Sequence, residues 1–430
     1  MKKFLILFIS LGLFACSSKV KTEKGEKSGS FSGIFEHGNF SDKIKFQIEQ
    51  DTTSFSVYFT SLEQNANRIP FQGLEVLGDS INFHLQSDFY TYSFKNKWTN
   101  NYSEIQGSLT VDTISVPYVI RREENNESRY PRSEDVSFES EGLKLKGTIW
   151  HPSNGKDRAI IILTSSGNAD RSASRAEAIL FAEMGFTTFH YDKRGTGNSE
   201  GHWQSASMES LISDDIQAIK YFSSKTGIPL KTIGIKGSSQ GATKVPYVLR
   251  ELQELEYGIA VSCPGVTLLE SDLNYWKNRN SGVIKEDLDK ASELQRKIFE
   301  FVAGKLTKAD LEKEIDLRRS AKWFEYVWIP NLEETHTDTK LLYTPIPYFE
   351  TTKQHLLIIQ GSKDEIIPEN SYVLIADALK EAGNENFDTV ILEGASHSMY
   401  YVGKSDFPYW SKLHPDYFTT IQTWINTISN

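Results

Sequence analysis

The chain has 430 residues, a formal net charge of -10 and a pI near 5.5. Without a surplus of Lys and Arg to neutralise phosphates, nucleic acid is excluded as a general partner. Hydrophobic content of 39% and charged content of 24% are those of a globular protein, and the length calls for two or three domains.

Met1-Lys2-Lys3 forms a short positive region, and Phe4 to Ala15 is apolar but shorter than the ~20 residues a spanning helix needs. Residues 1–15 therefore read as a signal peptide. The segment ends in Leu13-Phe14-Ala15-Cys16, which resembles a bacterial lipobox. That resemblance implies a lipidated Cys16 at the mature N-terminus, with acyl chains holding the protein at a membrane surface without spanning it. Residues 16–30 are Lys, Glu, Ser and Gly with almost nothing to bury, and read as a flexible tether. No Asp follows Cys16, which by analogy with Gram-negative lipoproteins favours the periplasmic face of the outer membrane. The second cysteine, Cys263, has no partner for an internal disulfide and follows the apolar run Ile259-Ala260-Val261, as a buried structural thiol does.

From residue 31 to 122, short runs such as Lys43-Ile44-Lys45-Phe46-Gln47-Ile48 and Ser54-Phe55-Ser56-Val57-Tyr58-Phe59 alternate apolar and polar residues between Gly, Asn and Asp. This pattern predicts a small antiparallel β domain. A charged stretch with Pro131 reads as a linker, and the second domain spans 133–430. It opens with two alternating strands, around Asp135-Val136-Ser137-Phe138 and Leu143-Lys144-Leu145-Lys146. Continuous apolar runs follow at Ala159 to Leu163, Gly185 to Phe189, Lys231 to Lys236, Ile259 to Val261, Leu356 to Ile359 and Thr389 to Leu392. Helix-compatible segments lie between most of them, so the fold class is α/β, a doubly wound and mostly parallel sheet covered on both faces. Residues 265–346 interrupt the rhythm as a helical cap insertion. Leu288, Ala291, Leu294, Ile298, Phe301 and Val302 fall at helical spacing, and a second helix is predicted from Thr307 with Asp310 three residues on. Trp276, Trp323, Phe324, Tyr326 and Trp328 read mostly as cap core, with one or two reaching an acyl pocket.

The strand-like run before Gly237-Ser238-Ser239-Gln240-Gly241, with a helix-compatible stretch after it, supplies the context of a nucleophile elbow. Gly237 and Gly241 provide the small neighbours that so tight a turn requires, and Ser239 is the candidate nucleophile. Ser238 cannot take that role, because Lys236 stands where a Gly is needed. A serine hydroxyl needs a base within reach and an acid to orient that base. Of nine His, His397 alone lies in a loop just after the last predicted strand; His414 lies beyond it with no strand before it. Asp364, in the loop after Leu356 to Ile359, is the candidate acid, with Glu365, and then Glu270 and Asp272, as fallbacks. The backbone N–H groups of Gln240 and Ser166 are the candidate oxyanion donors. Asp192-Lys193-Arg194-Gly195-Thr196-Gly197-Asn198-Ser199 is Gly-rich after a strand, but its spacing is not that of a dinucleotide loop, and it reads as a structural turn beside the site.

With these residues in place the chain resembles the α/β-hydrolase superfamily. It is most similar to the bacterial esterases of the serine aminopeptidase (S33-like) group that carry an N-terminal β domain. The oxyanion loop of that group, G-S-G-P-Q-D-R, is matched by Ser165-Ser166-Gly167-Asn168-Ala169-Asp170-Arg171, and its D-x-R-G-x-G-x-S turn by Asp192 to Ser199. Its elbow, S-Q-G-G-x-x-A-P, is matched by Ser239-Gln240-Gly241-Ala242-Thr243-Lys244-Val245-Pro246. Ser165, Asn168 and Ala242 are the departures. The resemblance implies a serine carboxylesterase acting on small-molecule acyl esters through Ser239, His397 and Asp364, with no cofactor and no metal. A serine aminopeptidase or an acyltransferase with the same triad, and a surface binding protein built on a dead hydrolase, remain open at this point.

Overall fold

The computed structural model describes residues 26–428 apart from 53, 88–89, 125–130 and 156. The expected signal peptide, Cys16 and most of the tether lie outside the described residues. Strands β1 to β9 run Gly29–His37, Phe40–Gln50, Phe55–Ser61, Ala66–Pro70, Gln72–Leu77, Ser80–Gln86, Thr91–Thr99, Glu104–Val111 and Ile114–Arg122. They form one antiparallel sheet in the order β4-β3-β2-β1-β9-β8-β7-β6-β5. Alternation drives it: in β2, Phe40, Ile44, Phe46 and Ile48 point inward while their neighbours are more exposed. The sheet curls until Phe71 N donates to Val57 O at 2.9 Å, and Phe31, Phe46, Phe59, Phe83 and Phe94 fill its interior. Gly29 and Ser30, read from the sequence as tether, already belong to β1.

Two further side chains complete that interior from the far end of the chain. Phe407 and Trp410 pack in the β-domain core, each ring 5.0 Å from Phe35. The sequence reading placed all of 133–430 in the second domain. The structure moves this segment's aromatics into the first, because an aromatic pair in an irregular segment carries no periodic mark of which core it joins.

The second sheet comprises β10 (Arg132–Ser140), β11 (Leu143–His151), β12 (Ala159–Ile162), β13 (Thr187–Tyr191), β14 (Ile233–Ser238), β15 (Tyr257–Val261), β16 (His355–Gly361) and β17 (Phe387–Leu392). Its order is β10-β11-β13-β12-β14-β15-β16-β17. β10 and β11 are antiparallel, and the strands from β13 to β17 run parallel. Helices α1 to α9 are Arg175–Glu183, Met208–Thr226, Gln240–Glu251, Leu268–Ile284, Leu288–Val302, Lys308–Arg318, Ile346–Phe349, Ser371–Glu381 and Tyr417–Ile428. Separate apolar cores lie on the two faces of the sheet, as the continuous apolar strands require. α4, α5 and α6 form the cap around a core of their own. α5 and α6 match the expected helices, and Thr307 accepts from Asp310 N at 3.2 Å as a cap. α4 went unread, although Thr267 and Glu270 form the same device at its start.

His190, on β13, is buried between Trp150 and Ser174. The Trp150 indole donates to its Nε2 at 3.1 Å, and its Nδ1 lies 3.0 Å from the Ser174 hydroxyl. Burial first, then the Arg171 charge, pushes its pKa down to about 3. The folded protein therefore refuses a proton that the unfolded chain accepts near 6.5, and this contribution to stability is complete above 6.5 and lost as pH falls toward 3. The thermal midpoint should fall as pH is lowered from 7 to 5, and fall less in His190→Gln. Identical pH dependence in the two proteins would refute this assignment.

Candidate active site

Ser239 occupies the turn between β14 and α3 with φ 53° and ψ -125°, a positive-φ conformation that a non-Gly residue adopts only under constraint. Ser239 N donates to Val261 O at 2.9 Å, which ties the turn to the neighbouring strand. Sterics explain the two glycines. A Cβ on Gly237 would stand 2.2 Å from Gly241 O, and one on Gly241 would stand 2.9 Å from Thr164 O. Both contacts are with backbone, which cannot swing away.

Asp364 and His397 come from the loops after β16 and β17. His397 Nδ1 lies 2.9 Å from each Asp364 carboxylate oxygen. Asp364 Oδ1 also accepts from Ile366 N at 2.9 Å and Ile367 N at 3.1 Å, so the acid is fixed by its own loop. Gly361 permits the approach of the two loops, since a Cβ there would stand 2.2 Å from Ala395 O. The cap helix α4 holds the acid loop from outside: Asn274 Nδ2 donates to Ile366 O at 2.9 Å and Asn278 Nδ2 to Glu365 O at 2.8 Å. Ser239 and His397 line one cavity of about 390 Å³. Among the described residues no hydrogen bond engages the Ser239 hydroxyl. The fallback acids lie elsewhere: Glu365 is exposed, Glu270 pairs with Arg296, and Asp272 sits on α4 outside the lining. His414 is structural, its Nε2 3.1 Å from Glu393 O.

Ser166 lines the same cavity, and Gln240 follows the nucleophile at the first position of α3. Neither backbone amide is engaged by another described residue. Sequence reasoning missed what holds the Ser166 loop. Lys193 Nζ donates to Ser165 O at 2.8 Å and Gly167 O at 2.6 Å, pinning the carbonyls on both sides of Ser166. Burial, with Lys244 close by, brings the Lys193 ammonium down to about 8. Lys244 Nζ in turn donates to Thr164 Oγ1 at 2.8 Å and pairs with Asp215 at 2.5 Å, both partners fully buried. Tyr191 donates to Asp215 at 2.7 Å. The 192–199 segment is the structural turn expected: Asp192 accepts from Arg171 N at 2.9 Å and Asn198 N at 3.0 Å. The departures at Ser165 and Asn168 are absorbed locally, Ser165 Oγ donating to Ser238 O at 3.0 Å and Asn168 accepting from Trp203 at 3.0 Å.

The cavity floor was also unread. Lys236 Nζ donates to Glu177 at 2.7 Å and to Ser238 Oγ at 2.7 Å, and Tyr417 OH donates to the other Glu177 oxygen at 2.8 Å. None of the five cap aromatics lines this cavity. Trp276 and Trp323 are buried in the cap core with Phe324 against it, while Tyr326 and Trp328 are exposed. The expectation that one or two would reach the pocket is corrected: the cap's own core claims the buried ones. Cys263 is buried and free, and burial pushes its thiol up, as expected of a structural cysteine.

The family model of the X-Pro dipeptidyl-peptidase (S15 family) matches residues 141–399, a span that includes Ser239, Asp364 and His397. No curated protein matches the chain. Among solved structures it is similar to the esterase Pf2001 of Pyrococcus furiosus, at 16% identity over 72% of this chain and 94% of that one, with a TM-score of 0.44. It is similar also to the proline iminopeptidase of Mycobacterium smegmatis, at 17% identity over 69% of this chain and 98% of that one, TM-score 0.44. A third is the α/β hydrolase GrgF from Penicillium sp. sh18, at 16% identity over 69% and 98%, TM-score 0.44. The family match covers more than half of the 430 residues, and most of the parallel sheet and the whole helical cap lie within its span: the chain belongs to the S15 peptidase family of α/β hydrolases.

Proposed function

We propose that the protein is a serine carboxylesterase in which Ser239 is the nucleophile, His397 the base and Asp364 the orienting acid. The observation that carries this reading is the strained Ser239 sharing one cavity with an imidazole whose Nδ1 is held by Asp364. Ser239 Oγ attacks the acyl carbon as His397 Nε2 takes its proton. The oxyanion rests on the Gln240 and Ser166 amides. Collapse breaks the bond to the alcohol, which leaves with the imidazolium proton. Water, deprotonated by the same imidazole, then attacks the acyl-enzyme and releases the acid and Ser239. Every step uses side chains and backbone donors of this chain.

The family match favours a second reading, a peptidase with the same triad. An exopeptidase that recognises a free α-ammonium needs an unpaired carboxylate near the nucleophile. Glu177 is the one carboxylate among the described lining residues, and both its oxygens are taken by Lys236 and Tyr417. That supports esters over aminoacyl substrates. A ligand-holding β domain is disfavoured, since Phe407 and Trp410 occupy its interior. Acyl transfer to an acceptor other than water would use the same acyl-enzyme. The lipid on Cys16, and with it a place on the periplasmic face of the outer membrane, belongs to this proposal as well.

Ser239→Ala should lower p-nitrophenyl acetate turnover by ~10⁴-fold or more and abolish fluorophosphonate labelling. Retained turnover would remove Ser239 from the mechanism. Lys193→Met frees the oxyanion loop, and kcat should fall by ~10–100-fold with KM little changed, approaching the loss of one oxyanion donor. An unchanged kcat would show that the loop holds its shape without the ammonium. Assayed side by side, acyl esters should turn over well ahead of aminoacyl arylamides and X-Pro arylamides; the reverse order would favour the peptidase.

A further inference from the structure

Among the described residues the β domain reaches the catalytic cavity through one side chain, that of Asn65. The turn after β3 runs Leu62–Gln64 and ends at Asn65, in the left-handed region at φ 55° and ψ 30°. Asn and Gly take that conformation most readily. Asn65 lines the cavity together with Ser239 and His397. Its Nδ2 donates to Ala173 O at 2.8 Å, in the segment that continues the oxyanion loop. Tyr400, three residues after His397, lines the same cavity and pairs in a β-bridge with Leu413, whose N–H donates to Glu63 O in the turn that carries Asn65. The turn that ends at Asn65 thus spans the two loops that flank the cavity.

The turn that carries Asn65 is fixed from both sides. Behind it, the buried Asp42 accepts twice from Ser61 Oγ, at 2.8 and 2.9 Å, and again from Gln64. In front, Glu63 O accepts from Leu413 N at 2.8 Å and the Glu63 carboxylate pairs with Lys412. A contact this firmly anchored sets the separation of what it joins.

We propose that Asn65 is a positioning and specificity-determining residue, supplied by the β domain, that fixes the width of the substrate cavity between the oxyanion loop and the His397 loop. The inference rests on the esterase reading and adds to it a determinant of acyl size. Asn65→Gly keeps the left-handed backbone and removes the carboxamide. Rates for p-nitrophenyl acetate, butyrate and octanoate are measured for wild type and variant, normalised to fluorophosphonate-labelled serine, beside the thermal midpoint. The expected result is a drop in kcat/KM for the acetate of at least ~5-fold, the worth of a lost hydrogen bond, with a smaller drop or a gain for the octanoate. The thermal midpoint should move little, because the substitution suits the turn. A purely structural residue would lower the midpoint and the labelled fraction while leaving the ratios among the esters unchanged, and that result overturns the inference alone. A wild-type protein that neither labels nor hydrolyses any of the three esters overturns the esterase reading, and this inference with it.

Discussion

The one constraint on which the rest depends is the backbone at Ser239. A φ of 53° at a serine costs on the order of 1–3 kcal/mol and persists only where the surroundings leave no alternative. Here they leave none. β14 delivers the chain into a space where the Gly237 Cα faces the Gly241 carbonyl, α3 must begin at once, and Val261 O takes the Ser239 amide. Strain of this kind keeps a nucleophile aimed at a cavity when relaxed backbone would fold it against the sheet.

Around that turn, buried lysines hold the loops that have no regular structure to hold them. Lys193 grips the carbonyls beside Ser166, Lys244 grips Thr164 while neutralising Asp215, and Lys236 ties Ser238 to Glu177. An ammonium suits this work because it offers donors in several directions on a long reach. Burying it costs several kcal/mol unless its partners are complete, so each pair is a point where removing one member leaves the other stranded.

The candidate triad could be picked out of the sequence because each member follows an apolar run, and in a parallel sheet the loops at the carboxyl ends of the strands gather on one edge. The edges of elements were less so: the strand read as Lys231 to Lys236 forms at Ile233–Ser238, since Leu230–Thr232 coil into a short 3-10 turn. Lys193, Lys236 and Lys244 gave no sign of burial: Lys193 stands between Asp192 and Arg194 in a charged turn, and a lysine that ends or interrupts an apolar stretch, as Lys236 and Lys244 do, looks like a solvent-facing break in it. Phe407, Trp410 and Asn65 were hidden for a different reason. Their partners are more than a hundred residues away, and no local period encodes such pairings.

Those hidden residues change what the β domain is. The chain leaves it at β9, builds the whole parallel sheet, places His397, and then returns to it with Phe407 and Trp410 before closing on α9. Asp406 and Asn39 bind each other reciprocally, Asn39 N to Asp406 at 2.7 Å and Asp406 N to Asn39 at 2.8 Å, and Tyr92 OH donates to Tyr409 O at 2.8 Å. An appendage joined only by a linker would be free to move without consequence for the site. Here the segment that leaves the candidate base enters the interior of the other domain at Phe407, ten residues after His397. The loop that carries His397 and the core of the β domain therefore share one continuous stretch of chain. The two sheets are thus joined through the segment that follows the candidate base, and not by sequence adjacency alone.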